Sequence, residues 1–191
     1  MEDVIINSLN DGCRVLDAFI HTGAITSISK VAIMMAEALR EGKKIISCGN
    51  GGSLCDATHF AEELTGRYRK DRKPYPAIAI NDPAYITCVG NDYSFDEIFS
   101  RYVEGVGKAG DILFAISTSG NSPNVVKAAE AAKLKDMHVI SLTGTQTNHL
   151  SRHSDISIQV PSIGFSDRVQ EIHIKIIHIL IQVIEHLLEY Q

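Results

Sequence analysis

Two short loops carry the residue types suited to holding a phosphorylated small molecule. The first, the glycine loop, Ser47 to Ser53 (SCGNGGS), has three glycines and an Asn, which let the backbone turn sharply and bring N–H groups close to a ligand. The second, the serine loop, Ile116 to Pro123 (ISTSGNSP), has four hydroxyl residues in six positions and ends at the predicted start of a helix. Hydroxyls and free N–H groups at a helix N-terminus hold phosphate without a cationic side chain. The sequence therefore predicts phosphate binding at these loops.

Each loop also has a simpler interpretation. Glycine-rich strand-to-helix turns are common, and serines before a helix often only cap it, with Ser53 and Ser122 as the predicted caps. The glycine loop lacks the GxGxxG pattern of dinucleotide sites and the lysine of the Walker motif. A dinucleotide or a nucleoside triphosphate is therefore not indicated.

His59 and Glu63 form another candidate group because they stand four residues apart in the segment after the glycine loop. On a helix that spacing puts both side chains on one face, where they could hold a metal ion or act as an acid/base pair. The pattern is not HExxH, so a zinc protease is not indicated. A surface contact between the two side chains is the alternative.

Four polar residues, Gln170, Glu171, His173 and His178, lie among isoleucines in the last predicted helix. Each would cost about 1–3 kcal/mol if buried without a partner, so we expect them to bind something. Gln170 and His178 share one helical stripe, but their separation is a rise of about 12 Å. Helix bending, or donation from two chains across an interface, would bring both to one metal ion. Hydrogen bonding within an interface is the alternative.

Five short apolar runs predict the strands that position these residues. Most are apolar on both faces, as in strands covered by helices on both sides. Helical segments alternate with them, which predicts an α/β fold in one domain, residues 1–191, with a three-layer, doubly wound, mostly parallel five-stranded sheet. The predicted strands are Lys44 to Cys48, Ala77 to Ile80, Ile112 to Ser117, His138 to Leu142 and Ile156 to Val160. The clearest predicted helices are Ile28 to Arg40, Ser53 to Lys70, Ser94 to Gly107 and Ser122 to Lys135.

Two extra helices, at about residues 3–21 and 167–190, lie outside this alternation. The second has apolar side chains around most of its circumference, which is more than one core-facing stripe needs. We expect both helices to serve oligomerisation. Burial of the second at the centre of the fold is the alternative.

Composition narrows the classes of function. With 18 Lys and Arg against 23 Asp and Glu in 191 residues, the net charge is −5, which argues against sequence-independent nucleic-acid binding. The single basic run, Arg67 to Lys73, is expected to be a solvated helix end and loop. Apolar runs are too short for a membrane span, and the acidic start is unlike a signal peptide. Scattered cysteines are typical of reduced thiols, so we expect a cytoplasmic protein with no nucleic-acid or membrane partner.

Four motifs in this chain resemble the phosphoheptose isomerases, which have the flavodoxin-like sugar-isomerase (SIS) fold. They are CGNGGS (Cys48 to Ser53), HFAEELTGRY (His59 to Tyr68), ISTSGNS (Ile116 to Ser122) and QEIHIKIIHILIQ (Gln170 to Gln182). The resemblance covers essentially the whole chain. It implies conversion of sedoheptulose 7-phosphate to D-glycero-D-manno-heptose 7-phosphate, the first step of heptose synthesis for lipopolysaccharide or capsule. It also implies a cytoplasmic homotetramer with active sites between subunits, and one zinc ion per subunit.

The resemblance further implies roles for individual residues. Ketose–aldose isomerisation moves a proton between adjacent carbons through an enediol, which needs a base and an acid. Glu63 is the implied base at the carbon, and His178 is the acid/base partner on the opposite side. The implied zinc ligands are His59, Glu63, Gln170 and His178. The implied substrate contacts are Asn50, Gly51, Gly52, Ser53, Glu63, Asn91, Asp92, Ser117, Thr118, Ser119, Ser122 and Gln170.

The sequence leaves two questions open: the role of the metal ion, and whether Asn91 and Asp92 contact the substrate. A Glu or His that holds zinc is a poorer free base, so the metal is either catalytic, structural or regulatory. Asn91 and Asp92 follow Gly90, and without the resemblance that triplet is typical of a bare turn.

A noncatalytic role is the competing class. Some proteins of this fold bind sugar phosphates as sensors, and a tetrameric relative resembles an adaptor for a replication initiator. Such proteins need no catalytic carboxylate. The joint presence of Glu63 and His178 therefore favours the isomerase.

Overall fold

The computed structural model describes residues 1–144 and 148–189, and a five-stranded parallel sheet lies at its centre. The strands follow the spatial order β2-β1-β3-β4-β5, and each neighbouring pair is parallel. They are β1 Ile45–Gly49, β2 Ala77–Ala79, β3 Ile112–Ser117, β4 His138–Thr143 and β5 Ile156–Gln159. The five predicted strands are thus confirmed, with ends that differ by a residue or two.

Helices cover both faces of the sheet, which confirms the predicted three-layer α/β fold. One core packs α2, α3 and α8 against alternate strand residues such as Phe114 and Ile140. The other core packs α5 and α6 against the intervening strand residues, such as Leu113 and Val139, on the opposite face of the sheet. The helices are α1 Glu2–Ile20, α2 Ala24–Arg40, α3 Gly52–Thr65, α4 Pro83–Asp92, α5 Ser100–Val106, α6 Pro123–Leu134, α7 His149–Arg152 and α8 Ser166–Glu189, with a 3-10 turn at Phe95–Glu97.

Three predicted helices have clearly different bounds, and two helices, α4 and α7, were missed. The helix predicted from Ile28 begins four residues earlier, at Ala24. The helix predicted to reach Lys70 ends at Thr65, because Gly66 follows in a non-helical conformation. The helix predicted over Ser94 to Gly107 is a 3-10 turn followed by the separate helix α5. The segment of Asn91 and Asp92 is the last turn of α4 and not a turn between elements.

The start of α4 explains that miss. Asp82 accepts a hydrogen bond from the Tyr85 N–H (2.7 Å), and Pro83 occupies the first turn. A capping aspartate followed by proline is a standard helix start. The Asp82-Pro83 pair lies in a segment without strong helical periodicity, so the sequence did not predict this helix.

The apolar side chains of α8 are covered mainly by this chain itself. The helix packs against α2, α3 and α1. Its buried residues are Val169, Ile172, His173, Ile176, Ile177, Leu180, Ile181 and Ile184. Most of α8 is thus buried at the centre of the fold, as in the alternative interpretation, and another copy is not needed to cover it. A role of α8 in oligomerisation stays a prediction. Residue 190, the predicted helix end, lies outside the described residues.

Exposed apolar surface lies instead on the first half of α1. Val4, Ile5, Ile6 and Leu9 are between 54% and 72% exposed. Among the described residues no single helix is long and apolar enough to cross a membrane. The α1–α2 pair passes a test of length and composition alone, but it is bent by 76° at the break.

Candidate active site

The glycine and serine loops lie side by side because they follow β1 and β3, which are neighbours in the sheet. A reciprocal pair of amides joins them. Asn50 Nδ2 donates to Asn124 Oδ1 (2.8 Å), and Asn124 Nδ2 donates to Asn50 Oδ1 (2.9 Å). Asn124 is 1% exposed, so this pair is a buried bridge between the two loops. The sequence analysis missed Asn124, whose only signal is an amide placed directly after the Ser-Pro helix start.

Neither loop uses its serines simply to cap a helix. The residue that caps α3 is Gly51, not Ser53, and Ser53 is buried. Ser122 does occupy the cap position of α6, but its side chain makes no capping hydrogen bond. Its hydroxyl lies 3.1 Å from the Ser117 hydroxyl instead. Within the described residues, the cap residues of α3 and α6 therefore make no side-chain capping bond, which leaves backbone N–H groups of the first turns for a phosphate.

The serine loop is shaped by hydrogen bonds within itself. Ser117 Oγ accepts from the Gly120 N–H, and Ser119 Oγ accepts from the Asn121 N–H, each at 3.1 Å. Gly120 has φ +64°, and a Cβ there would lie 2.2 Å from Asn148 Cγ. Only glycine fits this position, which keeps the hydroxyls at the carboxyl end of β3.

His59, Glu63 and His178 come together between α3 and α8. His59 Nε2 lies 3.1 Å from His178 Nε2 and 3.4 Å from Glu63 Oε1. One donor atom from each of the three residues lies within 4.8 Å of the others. Glu63 is the more sheltered group, with its side chain 15% exposed against 40% for His59. This cluster could hold a metal ion or move a proton.

Burial and neighbouring charges shift His178 towards its uncharged form. Its pKa is lowered, first by burial and then by the neighbouring His59, while Glu63 acts in the opposite direction. A neutral imidazole can accept a proton or bind a metal ion. Two donors of a tetrahedral zinc site are about 3.3 Å apart, since each lies 2.0–2.1 Å from the ion. The separations of His59 from His178 and from Glu63 are therefore close to those of a zinc site.

Gln170 lies at the other end of the same helix pair. A Cβ on Gly52 would lie 2.5 Å from Gln170 Nε2, so glycine at position 52 is what lets this amide approach the glycine loop. Gly52 faces Gln170 and His59 faces His178, so α3 and α8 run in the same direction. The structure thus brings three of the four predicted zinc ligands together and places Gln170 beside the glycine loop, about two turns away.

Asp56 is a further carboxylate that the sequence analysis missed. It lies four residues after Gly52 and three before His59, so helical spacing puts all three on one face of α3. Burial raises its pKa to about 6, and His59 opposes the shift. Its Oδ2 is buried without a hydrogen-bond partner among the described residues. The spacing to His59 and Gly52 was the signal that could have identified it.

Asn91 and Asp92 lie exposed at the end of α4. Within the described residues, their side-chain hydrogen bonds join them to each other and to Cys88: Asn91 Nδ2 donates to Asp92 Oδ1 (2.8 Å), and Cys88 Sγ donates to Asp92 Oδ2 (3.5 Å). Their part in substrate binding stays a prediction.

Comparison with known proteins identifies the family. The model of the SIS domain matches residues 9–144. The phosphoheptose isomerase of Enterobacter sp. (strain 638) is 58% identical over 185 residues, which are 96% of this chain and 96% of that protein. This chain belongs to the phosphoheptose isomerase family. It is therefore an aldose–ketose isomerase, as the motifs implied.

Solved structures of the family agree in fold as well as in sequence. The phosphoheptose isomerase from Neisseria gonorrhoeae has a TM-score of 0.90 and 37% identity, covering 96% of this chain and 98% of that one. The corresponding values for the phosphoheptose isomerase from Francisella tularensis are 0.91, 36%, 96% and 97%. Both matches span the terminal helices as well as the sheet. The SIS fold predicted from the four motifs is thus confirmed.

Proposed function

We propose that the cluster of Glu63 and His178 converts sedoheptulose 7-phosphate to D-glycero-D-manno-heptose 7-phosphate, the first step of heptose biosynthesis. The observation that carries this assignment is the juxtaposition of Glu63, His59 and His178 between α3 and α8. His59 and Glu63 lie on α3, the helix that starts at the glycine loop, and His178 lies beside them. A substrate whose phosphate is bound at the loops and whose sugar extends along α3 would therefore reach the cluster. Membership of the family supports the substrate.

Substrate binding is assigned to the two loops. The uncapped first turns of α3 and α6 offer N–H groups to the phosphate, and the hydroxyls of the serine loop add further donors. This arrangement needs no lysine, which fits a chain of net charge −5. The contacts proposed here are Asn50, Gly51, Gly52, Ser53, Ser117, Thr118, Ser119 and Ser122, with Gln170, Asn91 and Asp92 around the sugar.

Proton transfer is assigned to Glu63 and His178. Glu63 removes a proton from C1 of the ketose while His178 supplies one to the C2 oxygen, which gives the enediol. Glu63 then returns its proton to C2, and His178 takes the proton of the C1 hydroxyl, which gives the aldose. The lowered pKa of His178 favours its neutral imidazole. The ring N–H of that imidazole supplies the first proton, and the resulting imidazolate takes the proton of the C1 hydroxyl, which restores the neutral ring.

The same residues fit a zinc ion. His59, Glu63 and His178 would hold it with nitrogen and oxygen donors at suitable separations, and Gln170 would complete the set through helix adjustment or from a second chain. When bound, zinc supplies a positive charge that stabilises the developing enediolate oxygens. Holding the metal and moving a proton compete for Glu63, so the proton-transfer role requires that its carboxylate leave the ion or bind it weakly.

A homotetramer with active sites between subunits belongs to the same proposal. The exposed apolar side chains of Val4, Ile5 and Leu9 on α1 support association of copies. A second chain at α8 could supply the Gln170 that one chain keeps about two turns away from the cluster. A single domain over residues 1–191 and a cytoplasmic location, expected from the sequence, complete the proposal.

A turnover assay separates this proposal from the adaptor or sensor class. The purified protein, supplied with zinc, is incubated with sedoheptulose 7-phosphate, and the aldose is followed by NMR. Accumulation of the aldose to equilibrium supports the isomerase. Binding of the ketose, seen by calorimetry, without any aldose would instead favour the sensor and overturn the proposal.

A further inference from the structure

Arg72 lies in the basic run that was expected to be a solvated helix end. The structure contradicts that expectation for this residue, because the Arg72 side chain is only 3% exposed. After Gly66 the chain reverses direction, which places Arg72 next to the last turn of α3. Such burial of an arginine requires partners for its donors.

The Arg72 guanidinium makes five hydrogen bonds. Nη2 donates to the Glu63 carbonyl (2.7 Å), and Nε donates to Glu185 Oε1 on α8 (2.8 Å). Nη1 donates to three further carbonyls, those of Leu64 (2.9 Å), Gly66 (3.3 Å) and Lys73 (3.1 Å). The guanidinium also stacks 4.6 Å from the Tyr75 ring.

These contacts replace a missing helix cap. The last carbonyls of a helix have no partner within it, and α3 has no basic residue in its last turn. Arg72 satisfies two of those carbonyls from outside the helix. One of them belongs to Glu63, the proposed base, so the backbone that carries the catalytic carboxylate is fixed by this arginine.

The other end of the bridge reaches the helix of His178. Glu185 lies seven residues after His178, so the two side chains share one face of α8. Tyr75, which stacks on Arg72, donates a hydrogen bond to Glu189 one turn later. The arginine and its stacked tyrosine thus tie the end of α3 to the same face of α8 that carries His178.

We propose that Arg72, with Glu185, is a positioning residue of the isomerase: it sets the separation of the Glu63 carboxylate and the His178 imidazole. The inference rests on the proposed roles of Glu63 and His178. Arg72 lies outside the four motifs that the chain shares with the family. Because proton transfer depends on the separation of donor and acceptor, loss of the bridge should slow the chemical step more than it weakens substrate binding.

The test compares the steady-state kinetics of Arg72→Lys, Arg72→Met and Glu185→Gln with those of the parent enzyme. We expect kcat to fall about 10-fold for Arg72→Lys and about 100-fold for Arg72→Met, with KM within about 3-fold of the parent value. If Arg72→Met fails to fold, Arg72→Lys and Glu185→Gln carry the test, since both keep polar groups of similar size.

Two controls separate positioning from loss of stability. Lys73→Met removes a neighbouring positive charge whose side chain is exposed. Asp111→Asn weakens a buried ion pair with Lys44 at the start of β3 and β1. Within the described residues its hydrogen bonds do not involve Arg72, Glu63 or His178, so it lowers stability without changing the bridge. Both controls should keep kcat within about 3-fold of the parent value, whatever their melting temperatures.

A double variant tests whether the bridge acts through Glu63. In a Glu63→Gln background, Arg72→Lys should lower the residual kcat by less than about 2-fold, because the group it positions is already absent. The proposal is overturned if Arg72→Lys and Glu185→Gln have the same kcat as Asp111→Asn. It is also overturned if the effects of Arg72→Lys and Glu63→Gln on kcat are fully additive. Absence of turnover in the parent would instead refute the proposed function.

Discussion

Buried titratable side chains are the residues that sequence patterns describe least well here. Asp56 and His173 are both buried, and the sequence assigned neither of them a role of its own. Burial moves their pKa values in opposite senses, raising that of Asp56 to about 6 and lowering that of His173 to about 4. Each shift moves the equilibrium towards the uncharged form, because burial penalises the charged one.

His173 should make the protein less stable in mild acid. In the folded chain its imidazole stays neutral down to about pH 4, while in the unfolded chain it takes a proton below its ordinary pKa of 6.5. The unfolded state therefore binds more protons between these values, and the free energy of unfolding falls as pH falls. The contribution of this residue between about pH 7.5 and about pH 5 is about 2 kcal/mol.

Urea unfolding of His173→Leu at the two pH values measures that contribution. The variant should lose less stability on acidification than the parent, because leucine cannot take a proton in the unfolded state. His21→Gln, a change at the exposed histidine that follows α1, is the matched control. Equal pH dependence in His173→Leu and the parent would contradict the account.

Loop and helix contacts decide how the substrate loops are held. Asn50 and Asn124 exchange two hydrogen bonds across the ends of β1 and β3. Removing one buried amide leaves the other without its partner, at a cost of about 1–3 kcal/mol. The loops would then lose their relative position without loss of any group of the proton-transfer cluster.

Asn124→Ala should therefore raise KM for sedoheptulose 7-phosphate about 10-fold, with kcat within about 3-fold of the parent value. Steady-state kinetics at several substrate concentrations provide the measurement. Asn81→Ala, which removes a more exposed amide that bonds to Thr58, is the matched control and should leave KM unchanged. An unchanged KM in folded Asn124→Ala would show that the amide pair does not position the loops.

At the scale of helices and strands, the sequence predicted most of the fold. Apolar runs identified all five strands, because buried parallel strands are apolar on both faces. Helix ends were less predictable, since the end of α3 depends on Arg72, a residue from beyond the helix that no local pattern marks. The motifs identified His59, Glu63 and His178, but Asp56, Asn124 and Arg72 act through contacts that only the packed structure reveals.

Across the whole molecule, the two terminal helices that the sequence predicted for oligomerisation differ in exposure, because α1 exposes more apolar surface than α8. Hydrophobicity around the full circumference of α8 pointed to an interface, yet α2, α3 and α1 cover most of it within one chain. Ile177 in particular is fully buried, so a charge there would disrupt the chain's own core whether or not copies associate. The exposed side chains of α1 give a cleaner test of assembly.

The double variant Ile5→Asp/Leu9→Asp should dissociate the proposed tetramer without unfolding the chain. Both side chains are more than half exposed, so the charges need not enter the core. Sedimentation equilibrium should show a tetramer for the parent and a smaller species for the variant, and turnover should fall if active sites lie between subunits. Asn7→Asp, on the opposite side of α1 by helical spacing, is the control and should stay tetrameric. A monomeric parent, or a monomeric variant with full turnover, would contradict shared active sites.

The most direct measurement for the central claim is kcat of Glu63→Gln with sedoheptulose 7-phosphate in the presence of saturating zinc. Glutamine keeps the size of the side chain but cannot take a proton from the sugar carbon. We expect kcat to fall at least about 1,000-fold below that of the parent, whereas Glu37→Gln, on an exposed position of α2, should match the parent. A folded Glu63→Gln variant with kcat within about 3-fold of the parent value would show that Glu63 is not the base.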